Sequence, residues 1–436
     1  MIAEITIENF RSFKEKHTLS LLATNDQELA EQNTFEIEKK LRFLKAAVIY
    51  GANASGKSNF FKALTFFFTF AVLSGPRKQA GDGIETEPFI FSKQTEEAPS
   101  SFEIIFYLHD KDKKNVRYRY GLSVDNKKVV YEYLWAVFNV REVNLFTREH
   151  QDISYTPNFK EGSRAKPAVR ENCTLLSVSA QNNGEIATQI VKYFKDTIVR
   201  SGLYDMSEVT VTQLDDKKNF KSIVNFLKFA DINIYTLKKD KIPLNFDKFG
   251  DSDFVEYLKR KIPNYQSAME DSVTFGHRFY DAQEPTGERF LSVEQESSGT
   301  QKLFSYSGPI MEALENGLPL FIDEFDAQLH PLMIESIIKL FNSPVSNPHN
   351  AQLVISCHAV NILTNKLFRR DQIWFCEKDQ FGATELYSLV EYQKPVRKDA
   401  TFSKDYLQGK YGAIPYIDDI YLQTGLKLYN NGFSIG

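Results

Sequence analysis

The chain carries one glycine-rich stretch of the form G-x-x-x-x-G-K-S, which reads Gly51-Ala52-Asn53-Ala54-Ser55-Gly56-Lys57-Ser58. The segment before it, Leu44-Lys45-Ala46-Ala47-Val48-Ile49-Tyr50, is nearly continuous in apolar character and predicts a buried parallel strand. After it, a helix is predicted from about Lys57 to Leu73, because Ser74-Gly75-Pro76 favours a helix end. A strand, a loop and a helix in this order are the context that a phosphate-binding loop requires.

The residue types of this loop suit a nucleoside triphosphate. Its glycines let backbone N–H groups converge on phosphate oxygens at a helix start. Lys57 is expected to neutralise the β- and γ-phosphates, and the Ser58 hydroxyl can ligate Mg²⁺. ATP and Mg²⁺ are therefore the predicted cofactors. The residues expected to contact them here are Gly51, Asn53, Ala54, Ser55, Gly56, Lys57, Ser58 and Asn59.

Composition excludes several classes of protein. The 436 residues include 53 Lys+Arg against 57 Asp+Glu, and the 42% of hydrophobic residues can bury a large core, which excludes disordered, collagen-like and coiled-coil chains. The three cysteines are far apart and form no CxxC pair, which argues against a disulfide framework and a zinc site. The alternating start of the chain and the lack of an apolar run of about 20 residues predict a cytoplasmic protein without membrane contact.

Hydrophobic patterns predict three segments. Residues 1–141 combine the first part of the nucleotide-binding core with an antiparallel meander at 101–138. Residues 142–281 are predicted as an inserted, mainly helical lobe, and residues 282–436 return to the core. The apolar sets at helical spacing are Ile190, Phe194 and Ile198, then Phe220, Ile223, Val224 and Leu227. The predicted fold class is α/β with a mixed sheet, an antiparallel β subdomain and this helical lobe.

A second candidate element is the apolar strand at 318–322, which ends in Asp323 and Glu324. It delivers two carboxylates to the edge where open α/β sheets bind ligands. Asp323 is expected to hold Mg²⁺ through water, and Glu324 is placed to orient or deprotonate an attacking water. Alone, such a strand end is as often merely solvated. After a full phosphate loop, the catalytic interpretation is more specific.

Two weaker candidate elements lie before and after this strand in the sequence. The turn Glu296-Ser297-Ser298-Gly299-Thr300-Gln301-Lys302 exposes N–H and hydroxyl donors at a helix start, and an N-capping turn explains it equally well. His358 follows a strand at 352–356 on the same predicted edge. A lone histidine there is more often structural than catalytic.

Taken together, these elements resemble the ABC-type ATPases, which have the same four features in the same order. The opening Ile5-Thr6-Ile7-Glu8-Asn9-Phe10-Arg11-Ser12-Phe13, with Asn53 and Asn59 of the loop, is similar to the RecF, SMC and OLD branch. The resemblance narrows to the RloA/AbiL-like AAA family ATPases of bacterial phage-defence (abortive infection) operons. The blocks that carry it are 296–302, 323–326 with 329–331, 370–375 and 406–415.

This resemblance implies a head-to-tail dimer with ATP between the subunits, which could build a larger assembly. Ser297 and Gly299 of one subunit would contact the γ-phosphate held in the loop of the other. Asp326 would lie in the loop that crosses between subunits. The implied catalytic residues are Glu324 and His358, and the further residues implied to approach the nucleotide are Arg11 and Ser12.

Two features depart from the superfamily pattern. A glutamine after the first lobe usually completes Mg²⁺ coordination, and the nearby candidate here, Gln94, lacks a convincing strand before it. The signature turn carries Ser298 and Thr300 in place of the usual Leu-Ser-Gly-Gly-Gln residues, which leaves the hydrolysis rate open.

The resemblance also implies a function in anti-phage defence. The chain would be an ATPase that acts as a nucleotide-gated sensor or scaffold, responds to a phage-encoded trigger and controls a separate toxic effector. About 78 residues follow His358, too few for a further domain of typical size, so a separate effector such as a TOPRIM-like nuclease is expected.

A RecF-like ATP-gated DNA-binding clamp of repair or recombination is the alternative, and it predicts strongly salt-dependent binding to duplex DNA. The basic clusters are few, and solvated helix faces explain them more simply at a net charge of −4. They are Lys238-Lys239, Lys259-Arg260-Lys261 and Arg369-Arg370. A metabolic kinase is disfavoured, because it gives no reason for the turn at 296–301 or for His358.

Overall fold

The computed structural model describes residues 1–110, 114–229, 233–244, 255–256, 268–282, 284–392 and 400–415. Its strands are β1 Ile2–Glu8, β2 His17–Ser20, β3 Thr34–Glu38, β4 Leu41–Leu44, β5 Ala46–Tyr50, β6 Ser100–His109, β7 Asn115–Val124, β8 Val129–Val137, β9 Glu142–Glu149, β10 Asp152–Tyr155, β11 Ile198–Ser201, β12 Thr236–Pro243, β13 Met269–Asp281, β14 Glu284–Ser292, β15 Pro319–Asp323, β16 Gln352–Ser356, β17 Ile373–Lys378 and β18 Thr384–Ser388. Its α-helices are α1 Ala30–Asn33, α2 Lys57–Arg77, α3 Gly162–Ala165, α4 Leu175–Gln181, α5 Glu185–Asp196, α6 Ser207–Gln213, α7 Lys217–Phe229, α8 Ser298–Asn316, α9 Pro331–Asn342 and α10 Phe402–Leu407.

A six-stranded sheet forms the centre of the fold, in the order β11-β15-β16-β5-β17-β18. The first five strands are parallel, and β18 is antiparallel to β17, so the predicted mixed sheet is confirmed. Strands β5, β15 and β16 are buried along their whole length, which is why each reads as an apolar run. Because parallel strands end at one edge, the residues that follow these three strands meet there.

A second, seven-stranded antiparallel sheet has the order β10-β9-β8-β7-β6-β1-β2, and it contains the predicted meander. Helix α2 lies between the two sheets. Its Phe67 packs 5.9 Å from the Tyr120 ring of β7, in a core cluster that also includes Val354 of β16. The aromatic residues on α2 therefore build the core behind the glycine-rich loop.

The opposite face of the central sheet packs against α8 and α9, and this second core includes Ile310, Ile338 and Ile355. A three-stranded antiparallel sheet, β12-β13-β14, precedes α8. Its Phe275 packs edge-on against Phe304 of α8, with 5.1 Å between the rings. None of the helices in the described part of the chain has the length and apolar character needed to span a bilayer.

Helix α2 does not end at Leu73 as predicted but continues to Arg77. Ser74 and Gly75 lie inside the helix, where their small size allows close packing, and they do not end it. The Gly75 N–H donates to Ser177 Oγ at 3.0 Å, and a Cβ on Gly75 would lie 2.7 Å from that oxygen. Pro76 lies in the last turn, where its missing N–H costs a single helical hydrogen bond.

The segment 142–281 is less helical than predicted. Strands β9 and β10 extend the antiparallel sheet, and β12 and β13 form most of the third sheet. The two predicted apolar sets do lie on α5 and α7, except that Ile198 opens β11 beyond the end of α5. Only Val273, Phe275 and Gly276 of strand β13 are buried, so most of the strand lacks the alternation that identifies half-buried strands. The division of the chain at 141 and 281 stays a prediction.

Candidate nucleotide-binding site

The glycine-rich loop joins β5 to α2 at the carboxyl edge of the central sheet. Gly56 has a φ of 110°, in the left-handed region, and a Cβ there would lie 2.1 Å from Thr384 Oγ1. At Gly51 a Cβ would lie 2.4 Å from the Cys376 carbonyl oxygen. The loop therefore follows its path because both positions are glycine.

Lys57 lies inside the loop, where it is 5% exposed. Its Nζ donates to the carbonyl oxygens of Gly51 at 2.7 Å and Ala52 at 3.0 Å. Burial lowers the pKa of Lys57, while the Cys376 thiol and the Asp323 carboxylate act in the opposite direction. A buried ammonium group that bonds only to carbonyls gains strongly from an anion.

Two further observations fit a polyphosphate at this loop. Ser55 Oγ is buried and has no hydrogen-bond partner among the described residues. The N-terminus of α2 carries no side-chain cap, so the first-turn amides of Lys57 and Ser58 remain available as donors. The loop thus offers an ammonium group, a hydroxyl and helix amides to a phosphate chain.

The end of β15 carries the paired carboxylates. Ser356, at the end of β16, donates from Oγ to Asp323 Oδ1 at 2.5 Å and accepts from the Glu324 backbone N–H at 2.7 Å. Glu324 has a φ of 50°, which a non-glycine residue adopts only where its surroundings impose it. One buried hydroxyl therefore contacts both the Asp323 carboxylate and the Glu324 backbone.

Two residues that the sequence did not indicate, Ser201 and Gly202, lie at the end of edge strand β11. Ser201 is in register with Asp323, and the Gly202 N–H donates to the Asp323 carbonyl oxygen at 2.6 Å. A Cβ on Gly202 would lie 2.2 Å from the Glu324 carbonyl oxygen. Gln94 lies elsewhere, exposed in the loop between α2 and β6. Ser201 and Gly202 thus lie beside Asp323 and Glu324. No glutamine of the described residues lies there to complete Mg²⁺ coordination.

His358 lies on the same edge, just after β16. Its backbone N–H donates to Asp326 Oδ2 at 2.8 Å, which ties it to the turn after Glu324. Burial lowers the pKa of His358 and the Lys57 ammonium group lowers it further, against the raising effect of Asp326. The ring is therefore held toward its neutral form, with one donor and one acceptor nitrogen.

These groups enclose a pocket of about 490 Å³. It brings the loop residues together with one of the paired acids and the histidine, as the sequence predicted for one sheet edge. Asp323 lies in an adjoining pocket together with Ser58, Ser201 and Glu324. The lining residues of the phosphate pocket are Asn53, Ala54, Ser55, Gly56, Lys57, Ser58, Asn59, Glu324, His358 and Lys378.

Arg11 and Ser12 lie beside this pocket. Ser12 Oγ accepts from Asn59 Nδ2 at 2.7 Å and lies 2.8 Å from Thr384 Oγ1. Thr384 Oγ1 is also 2.8 Å from the Ser55 carbonyl oxygen. Ser12 and Thr384 thus hold the loop from behind, and Thr384 is a positioning residue that the sequence did not reveal. Arg11 and Ser12 both line a neighbouring pocket.

The signature turn lies at the start of α8. Ser297 caps this helix by accepting the Thr300 N–H at 3.1 Å, and the preceding Glu296 lies with Oε1 2.6 Å from His277 Nε2. A Cβ on Gly299 would lie 3.5 Å from the Gln328 carbonyl oxygen. Within the described structure, Ser297 and Gly299 do not line the phosphate pocket of their own chain. Their contact with a second subunit stays a prediction.

No curated protein sequence matches the chain significantly. Two similar solved structures are the SMC head domain from Thermotoga maritima, at 11% identity, and an SMC head bound to the C-winged helix domain of ScpA, at 14% identity. The first match covers 89% of this chain and 98% of that chain with a TM-score of 0.42, and the second covers 89% and 97% with a TM-score of 0.42.

One family model matches residues 46–364, which is more than half of the chain and includes the glycine-rich loop, the signature turn, the paired acids and His358. That family is described as "AAA domain, putative AbiEii toxin, Type IV TA system". The chain therefore belongs to this family of AAA-domain proteins.

Proposed function

We propose that the protein is an ATPase that serves as the nucleotide-gated subunit of an anti-phage defence system and controls a separate toxic effector. The observation that carries the ATPase is the convergence of Lys57, Ser58, Glu324 and His358 in one pocket. The family description, which names a toxin of a toxin–antitoxin system, supports the defence context. The narrower RloA/AbiL-like assignment and a nuclease as effector rest on the sequence resemblance.

Each group in the pocket has a distinct task in this proposal. Lys57 and the first amides of α2 bind the phosphates. The Ser58 hydroxyl and the Asp323 carboxylate would hold Mg²⁺, which supplies positive charge against the phosphates when bound. Ser356 keeps Asp323 oriented for this task.

Glu324 is the proposed general base. Its backbone is held by Ser356 and Gly202, so its carboxylate is positioned to orient a water molecule and accept its proton. His358 contributes a polar ring at the same end of the pocket, and Asp326 connects the His358 backbone N–H to the turn after Glu324. Phosphoryl transfer depends mainly on such positioning and charge.

The basic clusters give the DNA-clamp alternative little support. Lys238 pairs with Asp240 at 2.8 Å, and Lys239 pairs with Asp215 at 2.8 Å. The guanidinium groups of the third cluster are paired as well, Arg369 with Asp371 and Arg370 with Asp26. The cluster at 259–261 lies outside the described residues. Paired charges of this kind leave little free positive charge for a phosphate backbone.

Affinity purification tests the proposed function. The Glu324→Gln protein, produced together with its neighbouring genes and purified with ATP present, should retain a stoichiometric partner protein that is toxic when expressed alone. Lys57→Ala serves as the control, because it should not reach the ATP-bound state. Recovery of DNA without a partner protein would support the clamp and overturn the effector model.

Gly202→Ala should lower the rate of ATP hydrolysis by about 10-fold or more, because a displaced catalytic group costs rate steeply. The new Cβ would lie 2.2 Å from the Glu324 carbonyl oxygen, so the backbone that carries the proposed base must move. The affinity for ATP should change little, since the change lies away from the glycine-rich loop.

Steady-state hydrolysis and nucleotide titration separate these two effects. Gly287→Ala is the matched control, because a Cβ there meets no atom of the described structure within 4 Å. Equal hydrolysis rates in both variants and the wild type would show that Gly202 does not position Glu324.

A further inference from the structure

We propose that Tyr50 and Tyr406 position His358 for ATP hydrolysis. Tyr50 ends β5, and Tyr406 lies in α10, within the block 406–415 that takes part in the sequence resemblance. Neither tyrosine lines the phosphate pocket of the described structure, so an effect of either on hydrolysis must pass through another residue. The inference rests on the proposed ATPase and goes beyond it by giving this C-terminal block a role at the site.

The Tyr50 hydroxyl holds the backbone next to His358. Tyr50 is 1% exposed, and its hydroxyl donates to the Ala359 carbonyl oxygen at 3.0 Å. Burial raises the pKa of Tyr50 well above its usual value, so the hydroxyl keeps its proton and stays a donor. The His358 N–H donates to Asp326 Oδ2 at 2.8 Å. The backbone that carries the His358 ring is therefore held on both sides, by Asp326 before the ring and by Tyr50 after it.

The Tyr406 ring holds Tyr50 in place. The two rings pack with 5.7 Å between their centroids. Tyr406 also stacks on Phe375 of β17 with 5.5 Å between the rings, and Phe375 is in register with Tyr50 on the neighbouring strand. All three side chains belong to the core on the α8 and α9 side of the central sheet. Closely packed rings cannot turn freely, so Tyr406 fixes the direction in which the Tyr50 hydroxyl points.

The turn after α10 keeps Tyr406 in this position. The Tyr406 hydroxyl donates to the Ala413 carbonyl oxygen at 3.0 Å, which closes the turn on the ring itself. Gly412 allows this path, because it has a φ of 70° and a Cβ there would lie 2.6 Å from Glu377 Oε2. The C-terminal block is thus connected to His358 by an unbroken series of contacts.

Steady-state hydrolysis and nucleotide titration test the effect of these contacts. Tyr50→Phe keeps the ring and removes only the hydroxyl. It should lower kcat by about 10-fold and leave the affinity for ATP within about two-fold of the wild type, because a small displacement of a group in the pocket costs rate steeply. Tyr406→Ala should lower kcat at least as much. Tyr406→Phe should restore most of that loss, since it keeps the ring that packs against Tyr50.

His358→Ala shows whether Tyr50 acts through the histidine. In the His358→Ala background, Tyr50→Phe should cause no further loss of rate, because residues of one network are not additive. A similar loss in both backgrounds, or no loss in Tyr50→Phe alone, would overturn the positioning role. If His358→Ala hydrolysed ATP at the wild-type rate, the tyrosines would have no catalytic group to position. The inference would then fail while the ATPase proposal stood.

Tyr120→Phe is the matched control. Tyr120 is also fully buried, and its hydroxyl donates to Glu132 Oε1 at 3.0 Å in the antiparallel sheet, outside the described phosphate pocket. The variant should hydrolyse ATP like the wild type. If it lost as much rate as Tyr50→Phe, the loss would reflect a weakened core, and the positioning role would be wrong. Failure of the wild-type protein to hydrolyse ATP would instead overturn the proposed function itself.

Discussion

Lys57→Ala should weaken ATP binding by about 100-fold or more. This is the scale expected when a buried, charged hydrogen-bond donor to an anion is removed. Lys57 is buried inside the glycine-rich loop and already donates to the Gly51 and Ala52 carbonyl oxygens. The substitution removes both the positive charge and the two hydrogen bonds that hold the loop in shape. Titration with ATP in the presence of Mg²⁺ measures the effect.

Lys195→Ala is the control for charge. It makes the same chemical change on α5, where the side chain is exposed and lines neither the phosphate pocket nor the adjoining pocket of the described structure. Its affinity for ATP should stay within about two-fold of the wild type, since single exposed charges contribute little. If Lys57→Ala bound ATP as well as Lys195→Ala does, the phosphates would not lie in this loop.

The sequence predicted those parts of the fold that depend on residues close to one another in the chain. Strand β16 was predicted with the observed bounds, because a strand buried on both faces is apolar at successive positions. The glycine-rich loop was recognisable because its conformation depends on glycines at fixed spacing. Asp323 and Glu324 directly follow an apolar strand, so their place at the sheet edge also followed from neighbouring residues.

The missed parts depend on residues far apart in sequence. Thr384 Oγ1 contacts Ser12 Oγ across 372 positions, and no local pattern marks Thr384 as the partner of Ser12. Ser356 and Asp323 are joined across 33 positions in the same way. Ile198 continued the helical spacing of Ile190 and Phe194, although it belongs to β11. Pairing of β11 with β15 therefore overrides the local pattern, and it is this pairing that brings Gly202 to Glu324.

Glu324→Gln should lower ATP hydrolysis by about 100- to 10,000-fold, the usual contribution of a general base, while ATP still binds. Glutamine keeps the size of the side chain and one acceptor oxygen, but it cannot take a proton from water at neutral pH. The backbone contact with Ser356 Oγ does not involve the substituted group. The groups that bind the phosphates, Lys57 and Ser58, are also untouched.

This variant also tests the proposed dimer, because ATP that is bound and not hydrolysed should hold two subunits together. Light scattering after gel filtration should show a dimer of Glu324→Gln with ATP and a monomer with ADP. Glu335→Gln is the control, since Glu335 forms a surface pair with Lys339 on α9, and it should hydrolyse ATP like the wild type. If Glu324→Gln hydrolysed ATP at the wild-type rate, another group would be the base. If hydrolysis stopped and no dimer formed, bound ATP would not hold two subunits together. The predicted contact of Ser297 and Gly299 with a second subunit would then be wrong.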